Sequence, residues 1–245
     1  MFEGKKGIFF LHIKKSGGIS TRKMLSPLYV EAPRENCPMD FASADKQFWN
    51  SLMNRYRMPL GAYQFRRMLF VKRHLYGQSE FDELFKFSFS RHPVDRCVSQ
   101  FFYLWHNEKL TKKLRRGAVK LAHLDFRRDV EWNFDKFLDA IQACRNSGSN
   151  DTPYDIHFQT HTGKMWDDIV DDEGVILLDK VWRLDDMYEA TTRIMSEFVP
   201  NYVAPDEPVH VNRSARADFV PSQTQCRKIQ LLFEEDFGIY ENCTP

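Results

Sequence analysis

The N-terminal part of the chain passes from a short apolar run into a polar, glycine-bearing stretch. Residues 8–13 read IFFLHI, a run rich in aromatic and β-branched side chains that predicts a buried strand. The next five residues, KKSGG, predict a turn. Ser16 or Ser20 is suited to cap a helix that continues through Met24 and Leu25. The chain is therefore predicted to begin with a strand, a glycine-bearing turn and a helix.

The remaining apolar pattern predicts further strands and helices in alternation. Short apolar or alternating runs favour strands at 68–71, 85–90 and 175–182. Helical spacing of apolar residues favours helices at 48–57, 93–105, 132–141, 183–198 and 222–237. The stretch 26–45, with three prolines, predicts an irregular connection. This order indicates an α/β fold in which a single domain, residues 1–245, has a central, mainly parallel sheet flanked by helices.

Composition and charge narrow the classes of protein that fit. With 245 residues and 42% hydrophobic side chains, the chain can bury a core. A net charge of +1 gives no overall polyanion-binding character, so we expect no nucleic-acid partner. No apolar run reaches the roughly 18 residues of a spanning helix, and no signal peptide is evident, so we expect a cytoplasmic protein. Five cysteines without a CxxC pair favour free thiols, although a Cys226–Cys243 bridge or one from Cys37 stays open.

The turn after the first strand has the composition of an anion site. Glycines let the backbone approach an anion closely, lysines add positive charge and serines add hydroxyl donors. The residues concerned are Lys14, Lys15, Ser16, Gly17, Gly18 and Ser20. A Walker A loop places Gly-Lys-Ser/Thr after four residues that follow its first glycine, whereas these lysines precede the glycine pair. The pattern therefore indicates an anion-binding loop that is not Walker A.

The order Lys-Ser-Gly-Gly-x-Ser after a strand resembles the 5′-phosphosulfate loop of sulfotransferases that use 3′-phosphoadenosine 5′-phosphosulfate (PAPS). Within that superfamily, FLHIKKSGGIS is similar to the Phe-Leu-His-Ile-Pro-Lys-Thr-Gly-Gly-Thr-Ser signature of the carbohydrate (Golgi-type, family 2) branch. Lys14 replaces proline, Ser16 replaces threonine and Ile19 replaces threonine. Ser16 keeps the hydroxyl, and Ile19 keeps only its backbone N–H. The resemblance implies a P-loop-like domain that binds PAPS through residues 14–20.

A second motif carries the resemblance further along the chain. Arg91-His92-Pro93 follows the strand predicted at 85–90 and opens the helix predicted at 93–105. It resembles the family's Arg-Asp-Pro, with His92 in place of aspartate. The resemblance implies that Arg91 and Ser99 hold the 3′-phosphate; they lie about two helical turns apart. A Val-Asn-x-Ser segment, which contains Arg213, resembles a family segment near the nucleotide.

Three histidines and a glutamine are candidates for the acceptor side. His74, in RHLYG after the strand predicted at 68–71, resembles the family's general base. In the stretch YDIHFQTHTGKMW, His157, Gln159 and His161 resemble a family element that lines the acceptor site. His157 and His161 have the spacing of a zinc pair, but no third ligand is evident, so we predict no metal. The basic stretch 107–128 is either a solvated face or a lip that attracts an anionic acceptor.

The resemblance implies that Lys15 stabilises the leaving 5′-phosphate and that His74 takes a proton from the acceptor, which would be a carbohydrate or another hydroxyl-bearing molecule. The product would be adenosine 3′,5′-bisphosphate. A P-loop-like nucleotide kinase or NTPase is one alternative, although no magnesium-binding acid is visible. A non-catalytic nucleotide- or glycan-binding module is another, and it would not need Lys15 and His74.

Overall fold

The computed structural model describes residues 1–26, 28–33, 41–55, 58–105, 128–146, 156–205 and 219–243. Its sheet has three parallel strands in the order β1 (Gly7–Phe10), β2 (Leu84–Ser90) and β3 (Lys180–Arg183). In the registers, Phe10 lies opposite Phe87 and Ser90 lies opposite Arg183. The carboxyl ends of all three strands therefore meet at one edge, where open α/β sheets bind ligands. The predicted α/β fold with a parallel sheet is confirmed.

Helices surround this sheet, and short 3-10 and π-helical turns connect several of them. The α-helices are α1 (Gly18–Met24), α2 (Lys46–Met53), α3 (Arg67–Phe70), α4 (Gln78–Glu83), α5 (Pro93–Leu104), α6 (Val130–Asn146), α7 (Ile156–Thr162), α8 (Met165–Ile169), α9 (Met187–Phe198), α10 (Gln223–Leu232) and α11 (Glu234–Glu241). The 3-10 turns are Phe41–Ser43, Gly61–Tyr63 and Leu184–Asp186, and a π-helical turn covers Val71–Leu75. Within the described ranges, none of the helices combines the length and apolar character needed to cross a bilayer.

The apolar side chains of the strands divide between the two faces of the sheet. Phe10, Phe87 and Phe89 pack with Trp182 on the face covered by α1 and α9. Phe9, on the other side of β1, packs with apolar side chains of α3, the π-helical turn and α8. A third apolar cluster joins α5, α6 and α10. Both faces of the sheet are thus buried, as parallel sheets require.

The strand predicted at 68–71 is wrong. These residues form α3 and the start of the π-helical turn. Met68, Val71 and Leu75 have helical spacing and point into one core cluster, which a four-residue apolar run alone does not reveal. The Arg67 guanidinium pairs with both carboxylate oxygens of Asp168 on α8 at 2.9 and 2.6 Å, and this fixes the start of the helix.

Other predicted elements are shorter or divided. Of the strand predicted at 175–182, only its end lies in β3, because Ile176 instead forms an isolated antiparallel bridge with Val170. The helix predicted at 222–237 begins as expected, with a capping box at Ser222, but it breaks at Phe233 into α10 and α11. The strand predicted at 8–13 ends at Phe10. Cys97, Cys226 and Cys243 are free thiols, so no Cys226–Cys243 bridge forms, and Cys37 lies outside the described residues.

Candidate active site

The loop between β1 and α1 has two residues in the left-handed backbone region. Lys15 has a φ of 68° and Gly17 a φ of 73°. Side-chain-bearing residues rarely adopt this conformation, so the surrounding structure must hold Lys15 in it. Gly17 is also the N-cap of α1, without a side-chain cap. Neither Ser16 nor Ser20 caps the helix, and that part of the sequence prediction is wrong.

Both glycines of the loop are packed so closely that a side chain would not fit. A β-carbon on Gly17 would overlap the Leu184 side chain, which follows β3. A β-carbon on Gly18 would overlap the imidazole ring of His12. The loop therefore lies between an imidazole ring and the turn after β3.

His12 supports the loop from below. Its ring stacks on Phe10, with 6.2 Å between ring centroids, and its Nδ1 atom has no hydrogen-bond partner among the described residues. Its carbonyl oxygen accepts a hydrogen bond from Arg67 Nη1 at 3.2 Å. Burial, followed by the charges of Lys14, Arg22 and Arg67, lowers the pKa of His12 well below its ordinary value. The ring is therefore neutral near pH 7, and it packs against the loop as an uncharged surface.

Asn54, just after α2, fixes the path of the chain as it leaves β1. Its side chain accepts a hydrogen bond from the His12 N–H and donates one to the Phe10 carbonyl, each at 2.8 Å. Its own carbonyl accepts a hydrogen bond from Lys14 Nζ at 2.9 Å. Burial, followed by the charges of Arg67 and Arg22, lowers the pKa of Lys14 to about 7. Lys14 is therefore turned toward α2 and is partly uncharged near neutral pH.

The hydroxyl-bearing and apolar residues of the loop differ in exposure. Ser16 and Ser20 are buried, whereas the Ile19 side chain is 41% exposed. The Ser16 hydroxyl has no hydrogen-bond partner within the part of the chain that the structure describes. A buried hydroxyl in that state is suited to a ligand that approaches the loop.

Lys15 connects the loop to the elements that follow β2. Its Nζ atom lies 4.2 Å from the centroid of the Tyr103 ring on α5, a cation–π contact. Its carbonyl oxygen accepts a hydrogen bond of 3.4 Å from Arg91 Nη1. The structure thus brings together Lys15 and Arg91, two residues that the sequence assigned to opposite ends of one nucleotide.

Two of the three acceptor-side candidates on α7, His157 and His161, lie beside Tyr103. The His161 ring stacks on Tyr103 at 5.1 Å between centroids and lies 4.2 Å from the His157 ring. His161 Nδ1 lies 2.8 Å from the His157 carbonyl and donates to it, which leaves Nε2 as an acceptor. Burial, followed by His157 and the nearby lysines, lowers the pKa of His161 to about 3. Gln159 lies about 200° around the helix from each histidine, on the other side of α7.

The remaining predicted residues lie elsewhere or outside the described ranges. His74 is exposed on the π-helical turn, where its ring contacts Tyr63 and Phe70 at 5.0 and 5.1 Å. It does not follow a strand, so the geometric reason for placing it at the ligand edge is wrong. Ser99 is buried on α5, and Arg213 lies outside the described residues.

The family model of the sulfotransferases matches residues 1–241. The chain belongs to the sulfotransferase family. It is therefore an enzyme that transfers sulfuryl groups. No curated protein and no solved structure matches it significantly. In this sulfotransferase, the residues described above that converge at the carboxyl edge of the sheet form the candidate active site.

Sequence reasoning missed two residues of this sulfotransferase site. Tyr103 lies one helical turn after Ser99. Its side chain is 42% exposed, although most of the neighbouring residues of α5 are buried. A predicted helix that carries Ser99 could have indicated it. Asn54 had no such signal, because its role depends on the contact between α2 and β1. Among the described residues, no group of three histidine, cysteine or acidic side chains is arranged to hold a metal.

The close packing of Gly18 gives a testable prediction for this sulfotransferase. Gly18→Ala should lower the free energy of unfolding by about 1–3 kcal/mol, because the added methyl group displaces the His12 ring. Urea unfolding measures this cost. Gly238→Ala is the matched control, since nothing lies within 4 Å of the position that its methyl group would take and alanine suits a helix. In a Gly18→Ala/His12→Ala double variant the two costs should be less than additive; simple additivity would refute the contact.

Proposed function

We propose that this sulfotransferase uses PAPS as its donor and transfers the sulfuryl group to a hydroxyl of a carbohydrate. The observation that carries the proposal is the junction at Lys15, whose amine lies on Tyr103 and whose carbonyl accepts from Arg91. Lys15 therefore connects the loop between β1 and α1 to Arg91 at the end of β2. It also contacts α5, which packs against the helix that carries His157 and His161. The carbohydrate class of acceptor is supported by the similarity of the loop to the carbohydrate branch of the family.

The loop residues fit the 5′ end of such a donor. The two glycines carry no side chain of their own that would cover their backbone N–H groups, and the Ser16 hydroxyl is buried without a partner among the described residues. We propose that Lys14, Ser16, Gly17, Gly18, Ile19 and Ser20 bind the 5′-phosphosulfate. Arg91, whose planar fork suits phosphate, and Ser99 would bind the 3′-phosphate, with Arg213 as a further predicted contact. PAPS supplies an activated sulfuryl group, and the protein has to stabilise charge on the leaving phosphate.

Donor binding is the experiment that tests this proposal. Calorimetric titration should show that adenosine 3′,5′-bisphosphate binds much more tightly than ATP. Arg91→Ala should weaken binding of the bisphosphate by about 1.5–3 kcal/mol, the value of a hydrogen bond to a charged group. Arg193→Ala, an exposed arginine on α9, is the control and should leave affinity unchanged. Equal affinity for ATP would favour a nucleotide kinase or NTPase, and equal affinity of Arg91→Ala would remove Arg91 from the site.

Lys15 is the proposed stabiliser of the leaving group. Lys15→Ala should lower turnover by roughly 10²-fold or more, because a preorganised charge at the leaving oxygen is lost. Binding of the bisphosphate should fall less than turnover. Lys14→Ala is the comparison, since Lys14 is turned toward Asn54. If Lys14→Ala proved the more damaged variant in a steady-state assay, the two lysines would have to exchange roles.

Two histidines compete for the role of general base. The family resemblance implies His74, whereas the contacts favour His157, whose ring lies 5.9 Å from Tyr103 and close to His161. His161 is a poor base because its pKa of about 3 is far below neutral pH. We propose that His161 binds acceptor hydroxyls and that His157 takes the proton; Gln159, on the other side of α7, is not assigned to this contact.

Assigning the general base to His157 or to His74 predicts different pH–rate profiles for the two alanine variants. Loss of a positioned base costs typically ~10²–10⁴-fold, so His157→Ala should lose that much turnover and His74→Ala should lose little. The parental rate should fall at acid pH, where a histidine base becomes protonated, and this limb should vanish in the His157 variant. Affinity for adenosine 3′,5′-bisphosphate should stay near parental in both. A damaged His74→Ala beside an active His157→Ala would return the role to His74.

A further inference from the structure

A basic groove lies between α6 and α10. It encloses about 470 Å³, and its cationic lining consists of Arg145, Lys164, Arg227 and Lys228. None of the described residues that line it is acidic. The chain as a whole carries a net charge of only +1, so this concentration of positive charge is local. Such a cavity attracts anions.

Two of the four cations are paired and two are not. Lys164 Nζ lies 2.7 Å from Glu235, and Lys228 pairs with Asp139. Within the described part of the chain, neither Arg145 nor Arg227 has a carboxylate within 4.0 Å. Arg145 lies over the Phe233 ring at 4.4 Å, and its hydrogen bond to the Thr162 carbonyl is long at 3.4 Å. The arginine forks are therefore available for an external anion.

The rest of the lining indicates a saccharide. It consists of the amide or hydroxyl side chains of Gln142, Asn146 and Thr224 and of two leucines. Amides and hydroxyls can bond sugar hydroxyls, and the leucines offer an apolar surface for a ring face. No aromatic ring is among the described lining residues, so the groove lacks a platform on which a nucleic-acid base would stack.

The groove is connected to the transfer site through α7. Arg145 reaches the carbonyl of Thr162, the residue after His161, and Lys164 follows two residues later. His161 faces Tyr103 and the loop. The groove therefore adjoins the end of α7, the helix from which His161 reaches the transfer site, and a ligand that contacts both sites must extend past this helix end.

We propose that this groove is a second binding site, which holds sulfate or carboxylate groups of an extended anionic saccharide while another part of the same chain reaches the transfer site. The proposal rests on the carbohydrate acceptor proposed above. Arg145 and Arg227 bind the anionic groups, and they act on acceptor affinity rather than on sulfuryl transfer itself.

Direct binding of a heparin tetrasaccharide tests the groove. In calorimetric titrations, Arg227→Gln and Arg145→Gln should each weaken its binding about tenfold or more, as expected for loss of a charge-assisted hydrogen bond. Arg193→Gln, on α9, makes the same charge change away from the groove and should stay within about twofold of the parent. The desulfated tetrasaccharide should bind the parent at least about tenfold more weakly.

Three outcomes would overturn the proposal that the groove binds an anionic saccharide. They are parental affinity for the tetrasaccharide in both groove variants, an equal loss of affinity in Arg193→Gln, and no binding by the parent. Arg227 is exposed, so its variant tests the groove even if the half-buried Arg145 cannot be replaced without unfolding. Adenosine 3′,5′-bisphosphate should bind the groove variants as it binds the parent; a loss would assign these arginines to the donor site instead. Because the titration needs no turnover, failure of PAPS-dependent transfer would contradict the proposed function without altering the result for the groove.

Discussion

The site depends on a loop with no room for side chains at two successive positions. Gly17 packs against Leu184 after β3, and Gly18 packs against the His12 ring beneath the loop. With both faces of the backbone occupied, the loop cannot relax away from the left-handed conformation of Lys15. Such a conformation costs of order 1–3 kcal/mol and persists only where the surroundings impose it. The position of the Lys15 amine therefore follows from packing at its neighbours.

The parallel sheet brings the parts of the site together at one edge. β1 leads into the loop, β2 into Arg91 and α5, and β3 into Leu184. Because the three strands run in one direction, their following segments emerge side by side. Arg91 then contacts the carbonyl of Lys15, and α5 carries Tyr103 over the Lys15 amine. The sheet sets the direction of these elements, and the helices set the distances.

Burial of positive charge governs the electrostatics of the site. Lys14 and Lys15 on the loop lie near Arg22, Arg67 and Arg91. Asp168 raises the pKa of Lys14, but burial and the neighbouring arginines have the larger effect and lower it to about 7. Burial is also the main cause that lowers the pKa of His12 and His161 and keeps both rings neutral. Crowded positive charges in this site repel one another and lower the pKa of Lys14. An anionic ligand would offset that repulsion, so the site favours anions.

The sequence by itself determined the local chemistry. The apolar run before KKSGG, the order of strand and turn, and the strand-end Arg91 could be predicted because each depends on neighbours in the chain. Residues 68–71 could not, since four apolar residues fit a strand or one helical turn equally well, and only the packing of Met68, Val71 and Leu75 into one cluster decided for the helix. Which histidine approaches Lys15 was likewise decided by tertiary structure. His157 and His161 reach it because α5 packs against α7, more than fifty residues later in the chain, whereas His74 turns outward on its π-helical turn. Contacts between distant segments depend on how whole surfaces fit together, and no local pattern encodes that fit.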